Sequence, residues 1–256
     1  MNPKKKFGQN FITDKNLINK IVVSAKIDDK YVVEVGPGRG ALTTELANRA
    51  KKVIAYEIDK DLSTYLNKIQ TEHNNLVIIY DDFLKVDFKS DKEWELIGNL
   101  PYYITTPILF KFLENNVYNS ATIMVQKEVG ERIVSQPNSK QYNALSVIVQ
   151  YLTNVEKVVN VSRKLFYPIP KVDSVVIRLE KKENRELSQE KETHFFNFVK
   201  ACFVQKRKTL TNNLVEAYQK DKGEINALLK GNQFNENVRA EQLNLRDFIK
   251  LFGLML

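Results

Sequence analysis

Tyr31-Val32-Val33-Glu34-Val35 runs directly into Gly36-Pro37-Gly38-Arg39-Gly40, and Ala41–Arg49 follows with helical spacing. The β-branched run predicts a buried strand, the glycines a tight turn, and the next nine residues a helix. The same alternation repeats outward from this unit. Val53–Tyr56, Leu76–Tyr80, a segment ending at Leu96–Ile97, and Ala121–Val125 read as strands, whereas Lys60–Gln70, Pro107–Leu113 and Ala144–Leu152 read as helices. Upstream, Asp14–Ala25 carries apolar residues at Leu17, Ile18, Ile21 and Val22, with Asp14 placed to cap a helix. Apolar strands separated by helices predict an α/β fold with a mostly parallel sheet covered on both faces. Val155–Val161 and Val175–Leu179 have no long helix between them and are expected to pair antiparallel at the sheet edge.

The pattern changes after Leu179. Glu180–Glu192 is almost wholly charged or polar and reads as a linker or a solvated helix start. Beyond it only helical spacing remains, at Phe195–Phe203, Leu210–Tyr218, Ile225–Leu229 and Leu243–Phe252. The expected organisation is an α/β domain over residues 1–182 and a small all-helical domain over residues 183–256.

Composition narrows the function classes. The chain has 256 residues, a 43% hydrophobic fraction and a single cysteine, Cys202. That is enough apolar material for a full core, and it excludes an intramolecular disulfide and a cysteine-built zinc site. No apolar run reaches the ~18–20 residues needed to span a bilayer, and the charged start lacks the apolar segment of a secretion signal. A soluble, cytoplasmic protein without membrane attachment is expected. The net charge of +8 suits a polyanionic partner, although a lysine-rich composition alone produces the same balance.

The glycine turn is spaced Gly-x-Gly-x-Gly, unlike the Gly-x-Gly-x-x-Gly of dinucleotide sites, and lacks the Gly-Lys-Ser/Thr ending of a phosphate-binding loop. By itself it could be a structural turn. Two acids add to it. Glu57 ends the second strand, 57 − 36 = 21 positions after Gly36, close to the ~20-residue offset at which an acid meets ribose hydroxyls. Asp82 follows the third strand, where it could accept a hydrogen bond from an adenine amino group. Together they point to an adenosine-containing ligand without a pyrophosphate, and S-adenosylmethionine fits. No metal is expected.

After the fourth strand comes Asn99-Leu100-Pro101-Tyr102. This places an amide, a carbonyl followed by a proline, and an aromatic ring at the carboxyl edge of the sheet. Acceptors on both N–H groups of an exocyclic amine would localise its delocalised lone pair, and Tyr102 could stack on an extruded base. Neither His73 nor His194 lies in any of these motifs.

Lys6-Phe-Gly-Gln-Asn-Phe-Ile12, Glu34–Thr43, Asp82-Phe-Leu84 and Asn99-Leu-Pro-Tyr-Tyr-Ile104 resemble, in order, the motif series of the ribosomal RNA adenine N6-dimethyltransferases. The match continues through Gln126–Val129, Leu145-Ser146, Phe166–Ser174 and Gln205–Leu210. The resemblance implies a Rossmann-like methyltransferase domain using S-adenosylmethionine. Within the family, Pro170–Ser174, Gln205–Leu210 and Asn99-Leu100 are most similar to the small-subunit branch, whose substrate is two adjacent adenosines in the 3′-terminal hairpin loop of small-subunit rRNA. It further implies cofactor roles for Asn10, Ile12, Gly36, Gly38, Glu57, Asp82 and Asn99. The chemical site it implies is Asn99, Leu100, Pro101 and Tyr102, with Phe166 packing on the target base opposite Tyr102.

Lys206, Arg207 and Lys208 are candidate phosphate contacts, as is the Lys4–Lys6 run, against the alternative of a solvated basic surface. Asn143 stands where the family usually has glycine. A monomer acting on small-subunit rRNA or a small-subunit assembly intermediate, with a role in ribosome biogenesis, is expected. The alternatives are a large-subunit adenine methylase of the macrolide-resistance type and a non-catalytic RNA-binding assembly factor on the same fold.

Overall fold

The computed structural model describes residues 3–4 and 7–255, so Lys5 and Lys6 of the basic run lie outside the described residues. In chain order the elements are β1 (Phe11–Ile12), α1 (Lys15–Ala25), β2 (Tyr31–Val35), α2 (Ala41–Arg49), β3 (Lys52–Tyr56), α3 (Ser63–Glu72), β4 (Leu76–Ile79), β5 (Trp94–Asn99), α4 (Thr105–Glu114), β6 (Tyr118–Gln126), α5 (Lys127–Val134), α6 (Ala144–Leu152), β7 (Thr153–Val161), β8 (Phe166–Tyr167), β9 (Ser174–Lys181), α7 (Gln189–Cys202), α8 (Leu210–Tyr218), α9 (Lys222–Gly231) and α10 (Leu245–Met255). They group into two compact units. One comprises the residues up to Gly130 with Val155–Lys181, the other Glu131–Asn154 with the residues from Lys182 onward. The helical unit therefore takes in residues 131–154, ahead of the boundary at residue 182 that composition suggests.

The first unit holds a seven-stranded sheet in the order β4-β3-β2-β5-β6-β9-β7. Strands β4, β3, β2, β5 and β6 are mutually parallel, and β9 runs antiparallel to β6. The expected edge pair is present as neighbours, with β9 inside and β7 outermost. The central strands are buried on both faces: Val32, Val33, Val53, Ala55, Ile97 and Ala121 are all fully inaccessible. That is why they read as unbroken apolar runs rather than alternating ones.

Helix α1 begins where Asp14 accepts the Leu17 N–H at 2.7 Å, a side-chain cap that replaces one missing intrahelical partner. Its buried stripe of Leu17, Ile18, Ile21, Val22 and Ala25 joins the sheet core. Pro107 falls in the first turn of α4, where a missing N–H costs no helical hydrogen bond. Two elements were not legible in the periodicity, α5 and the two-stranded ladder in which Phe11 faces Tyr167 and Ile12 faces Phe166.

In the helical unit, Asn143 is the N-cap of α6. Its Oδ1 accepts from Leu145 and Ser146 N–H, and the Ser146 hydroxyl accepts from the Asn143 N–H. The backbone there is extended, so the asparagine adds a cap that glycine lacks. The core is aromatic, with Phe195 and Phe252 ring centroids 5.5 Å apart and Phe203 and Phe248 at 5.7 Å. Cys202 is fully buried in this core, and burial pushes its thiol pKa up. Glu192 corrects the expectation of a solvated run. It is buried, accepts from Arg185 at 2.5 Å and from the Tyr151 hydroxyl at 3.1 Å, and so belongs to the base of α7. Among the described residues no helix is long and apolar enough to cross a membrane.

Gly98 tests how tightly the strands that deliver the site are packed. A Cβ there would stand 2.6 Å from the Val35 carbonyl oxygen, a backbone atom that cannot swing aside. Gly98→Ala is expected to destabilise the chain by about 1–3 kcal/mol, as overpacking does. Gly253→Ala, on an exposed stretch of α10 with nothing within 4 Å, should be neutral or slightly stabilising. Urea denaturation of both variants checks the contrast.

Candidate active site

A cavity opens at the carboxyl ends of β2, β3, β4 and β5, where open parallel sheets place their ligand sites. Its floor is the glycine turn. Gly36, Gly38 and Gly40 all have φ between +61° and +84°, a region that costs a residue with a Cβ but not glycine. Gly36 N–H donates to the Tyr56 carbonyl at 3.0 Å, fastening the turn to β3. A Cβ on Gly38 would meet the Phe11 ring at 3.0 Å. At Gly38 the turn therefore leaves little room for a side chain, whereas at Gly36 the backbone conformation is what favours glycine.

Three acids stand close to this turn. Glu57 is 5% exposed, its Oε2 accepting from Gly38 N–H at 3.1 Å and its Oε1 from Asp59 N–H at 2.8 Å. Burial pushes its carboxyl up, and these backbone donors offset the rise in part. Glu34, in the middle of the strand–turn motif, is 1% exposed. Burial lifts its pKa to about 8, with the Glu57 charge adding to the rise. The neighbouring Thr43 hydroxyl opposes the rise in part, and Glu34 Oε2 has no hydrogen-bond partner among the described residues. Asp82 caps the short turn Phe83–Lys85 through its Oδ1, at 3.0 Å from Leu84 N–H, and lines the cavity beside β4.

Strand β5 ends at Asn99, whose Nδ2 donates to the Asn10 carbonyl at 2.8 Å. Its Oδ1 accepts no hydrogen bond among the described residues. Leu100 is buried, its N–H donating to the Met124 carbonyl at 3.2 Å. Its own carbonyl precedes Pro101 and takes no bond among the described residues. Tyr102 is half-buried, and its hydroxyl meets Ser174 Oγ at 2.9 Å. That contact ties the ring to β9 while burial pushes the phenol pKa up. Asn99, Leu100, Pro101 and Tyr102 all line the cavity.

The cavity gathers most of the residues predicted from sequence: Asn10, Ile12, Gly36, Gly38, Glu57, Asp82 and the Asn99–Tyr102 quartet. Phe166 is a correction. It is 3% exposed, sits in the core beside Ile12 and does not line the cavity, so its ring presents no free face to a base. Successive strand residues point to opposite sides, and the neighbour Tyr167, 55% exposed, lines the cavity instead. Sequence reasoning also passed over Glu34, Arg39 and Asp59. Arg39 lies over the Phe11 ring at 4.6 Å. The signal for Asp59 was its place two residues after Glu57. His73 and His194 are not in the cavity lining.

The basic cluster belongs to the helical unit. Lys206 is bound to the Lys140 carbonyl and lies 3.4 Å from Glu241, and Lys208 pairs with Glu216 at 3.1 Å. Arg207 is exposed and has no ion pair among the described residues. Lys4 does not stand free for phosphate either, because it pairs with Asp59 at 2.6 Å and with Asp61.

Residues 1–255 match the model of the family described as ribosomal RNA adenine dimethylase. The chain belongs to that family. It is an enzyme, a ribosomal RNA adenine dimethyltransferase. The chain is 52% identical over 256 residues to the ribosomal RNA small subunit methyltransferase A of Onion yellows phytoplasma (strain OY-M), covering 97% of this chain and 94% of that one. Among solved structures, it is similar to a dimethyladenosine transferase from Plasmodium falciparum, with a TM-score of 0.82, 29% identity and coverage of 94% and 95% of the two chains. A 23S rRNA methyltransferase follows at 0.78 and 28%, covering 95% and 98%. The Rossmann-like fold expected from the motifs is thus the fold of the family.

The buried acids set a pH dependence. The folded chain holds the Glu34 proton more tightly than the unfolded chain, whose carboxyl has its ordinary value of 4.5 against about 8 when folded. The contribution to stability is therefore full below about pH 4.5 and falls as pH rises toward about 8. Glu34→Gln should flatten this limb, raising the melting temperature above the parent's at about pH 8 and leaving it nearly unchanged at about pH 4.5. Glu57, shifted in the same direction, should account for a residual slope. Thermal melts across that range measure both.

Proposed function

We propose that the chain transfers methyl groups from S-adenosylmethionine to N6 of two adjacent adenosines in the 3′-terminal hairpin loop of small-subunit rRNA, giving N6,N6-dimethyladenosine. It acts in ribosome biogenesis, as a cytoplasmic monomer, on the rRNA or on a small-subunit assembly intermediate. The observation that carries the chemistry is the locked amide of Asn99, with its nitrogen spent on the Asn10 carbonyl and its oxygen without a partner among the described residues. Support for the small subunit over the large comes from similarity, 52% to a small-subunit enzyme against 28% to a 23S enzyme.

The cavity fits the cofactor. A cationic ligand suits walls that hold Glu57 and Asp82, and beside them Glu34 Oε2 is a buried polar atom without a partner among the described residues. When bound, S-adenosylmethionine supplies an electrophilic methyl group on a sulfonium. Each Glu57 oxygen accepts one backbone N–H and keeps a lone pair for one ribose hydroxyl. Asp82 Oδ2 takes the adenine amino group. Asn10, Ile12, Gly36, Gly38 and Asn99 line the remainder.

At the acceptor, Asn99 Oδ1 and the Leu100 carbonyl each take one N–H of the target amine. This draws the nitrogen toward tetrahedral geometry and localises its lone pair, so catalysis is by positioning and preorganised acceptors rather than by a strong base. Pro101 stiffens the turn, and Tyr102 supplies the stacking ring. Phe166, buried, supports the wall from behind. After one transfer the methylated nitrogen is cationic and releases a proton to water, leaving one N–H and a restored lone pair, and it rotates about its ring bond to present that pair again.

Asn99→Ala is expected to slow single-turnover methylation at saturating cofactor by ~10²–10³-fold, the scale of a lost preorganised contact. RNA retention should change much less, and Asn99→Asp should not restore the rate. A mutant that methylates at the parental rate would refute the mechanism. On the RNA side, Lys206, Arg207 and Lys208 are proposed phosphate contacts, with Arg207 leading because its neighbours are already paired. Arg207→Gln should reduce the salt slope of RNA binding by roughly one, and Lys206→Gln or Lys208→Gln by less. Equal effects from all three would remove that ranking.

A further inference from the structure

Asp59 belongs to none of the binding or chemical roles above, yet it is 2% exposed and is the meeting point of several contacts. Its Oδ1 accepts from Lys4 Nζ at 2.6 Å and from Asp61 N–H at 3.3 Å, and its Oδ2 accepts from Gln9 Nε2 at 2.8 Å. Its own N–H donates to Glu57. Lys4 N–H in turn donates to Gln9 Oε1 at 2.8 Å, closing the clasp. Burial alone would push the Asp59 carboxyl up, but the donors from Lys4 and Gln9 outweigh it and hold the carboxyl below its ordinary value.

The clasp fastens one end of the N-terminal segment that walls the cavity. The other end is fixed by the ladder of β1 with β8. Between them, Gly8 turns with φ +59°, Asn10 Nδ2 closes the turn onto the Gly8 carbonyl at 3.0 Å, and the Asn10 carbonyl receives Asn99 Nδ2. A side-chain amide can exchange its nitrogen and oxygen by rotating, and only the nitrogen can donate to a carbonyl. The place of the Asn10 carbonyl therefore decides which end of the Asn99 amide faces the cavity.

We propose that Asp59 is a positioning residue of the transfer step: by clasping Lys4 and Gln9 it holds the Asn10 carbonyl against Asn99, and so keeps the Asn99 oxygen turned toward the acceptor amine. This rests on the role of Asn99 given above. It assigns Lys4 to the protein's own acids, whereas a basic terminal run suggests RNA phosphates.

The test is single-turnover methylation at saturating S-adenosylmethionine and RNA, with RNA affinity measured in parallel, for Lys4→Gln, Asp59→Asn and Lys4→Arg in the parental and Asn99→Ala backgrounds. Lys4→Gln and Asp59→Asn should each slow the step about 10-fold, the order expected when a reacting group is misplaced by a fraction of an ångström. RNA affinity should stay within about twofold, and Lys4→Arg should recover most of the rate. In the Asn99→Ala background the Lys4→Gln cost should vanish, because the amide through which it acts is gone. An undiminished rate in Lys4→Gln, the same cost in both backgrounds, or a loss confined to RNA affinity would each overturn the proposal while leaving the Asn99 assignment intact. An Asn99→Ala enzyme at the parental rate would instead sink the functional reading and this inference with it.

Discussion

Parallel strands buried on both faces can offer their chemistry at one place only, the edge where their carboxyl ends emerge. Strands β2, β3 and β5 are paired in parallel, with Val35 beside Tyr56 and Glu34 beside Ile97. That register brings the glycine turn, Glu57 and Asn99 to the same edge although they lie far apart in sequence. The close approach of Gly98 to the Val35 carbonyl keeps the spacing tight. The cavity and the acceptor pair are consequences of this constraint.

The same edge concentrates carboxylates in a poorly solvated place, which is costly unless each is neutralised or hydrogen-bonded. The chain treats them differently. Glu57 is held by two backbone donors, Asp59 by Lys4 and Gln9, and Glu34 by its proton. Of these three, Glu34 keeps an oxygen without a partner among the described residues, and the residue lines the cavity. The N-terminal segment is part of this arrangement, because its lysine compensates an acid of the site and its asparagine carbonyl engages the amide of the chemical motif.

Much of this was legible in the chain. Buried strands announce themselves as apolar runs such as Tyr31–Val35, and the strand ends that follow them locate Glu57, Asp82 and Asn99 without any geometry. The helical unit was legible in its spacing but not in its extent, because α6 and the chain leading to it pack with later helices while their sequence gives no break. Residue-level detail escaped where long-range pairing decides it. The two-residue ladder of β1 with β8 has no periodicity to read, yet it turns Phe166 inward and Tyr167 toward the cavity. Charge runs hide their partners for the same reason. Glu192, Lys4, Lys206 and Lys208 look solvated in sequence, and each finds a partner that only the fold supplies.

The central claim is that this chain carries out dimethylation of two adjacent adenosines near the 3′ end of small-subunit rRNA. Mass spectrometry of ribosomal RNA fragments after incubating the purified protein and S-adenosylmethionine with unmodified small-subunit particles tests it most directly. The account predicts two methyl groups on each of two neighbouring adenosines in the terminal hairpin loop, and none on large-subunit RNA treated alongside. Methylation of large-subunit RNA instead, or retention of the small-subunit RNA with no methyl transfer, would contradict it.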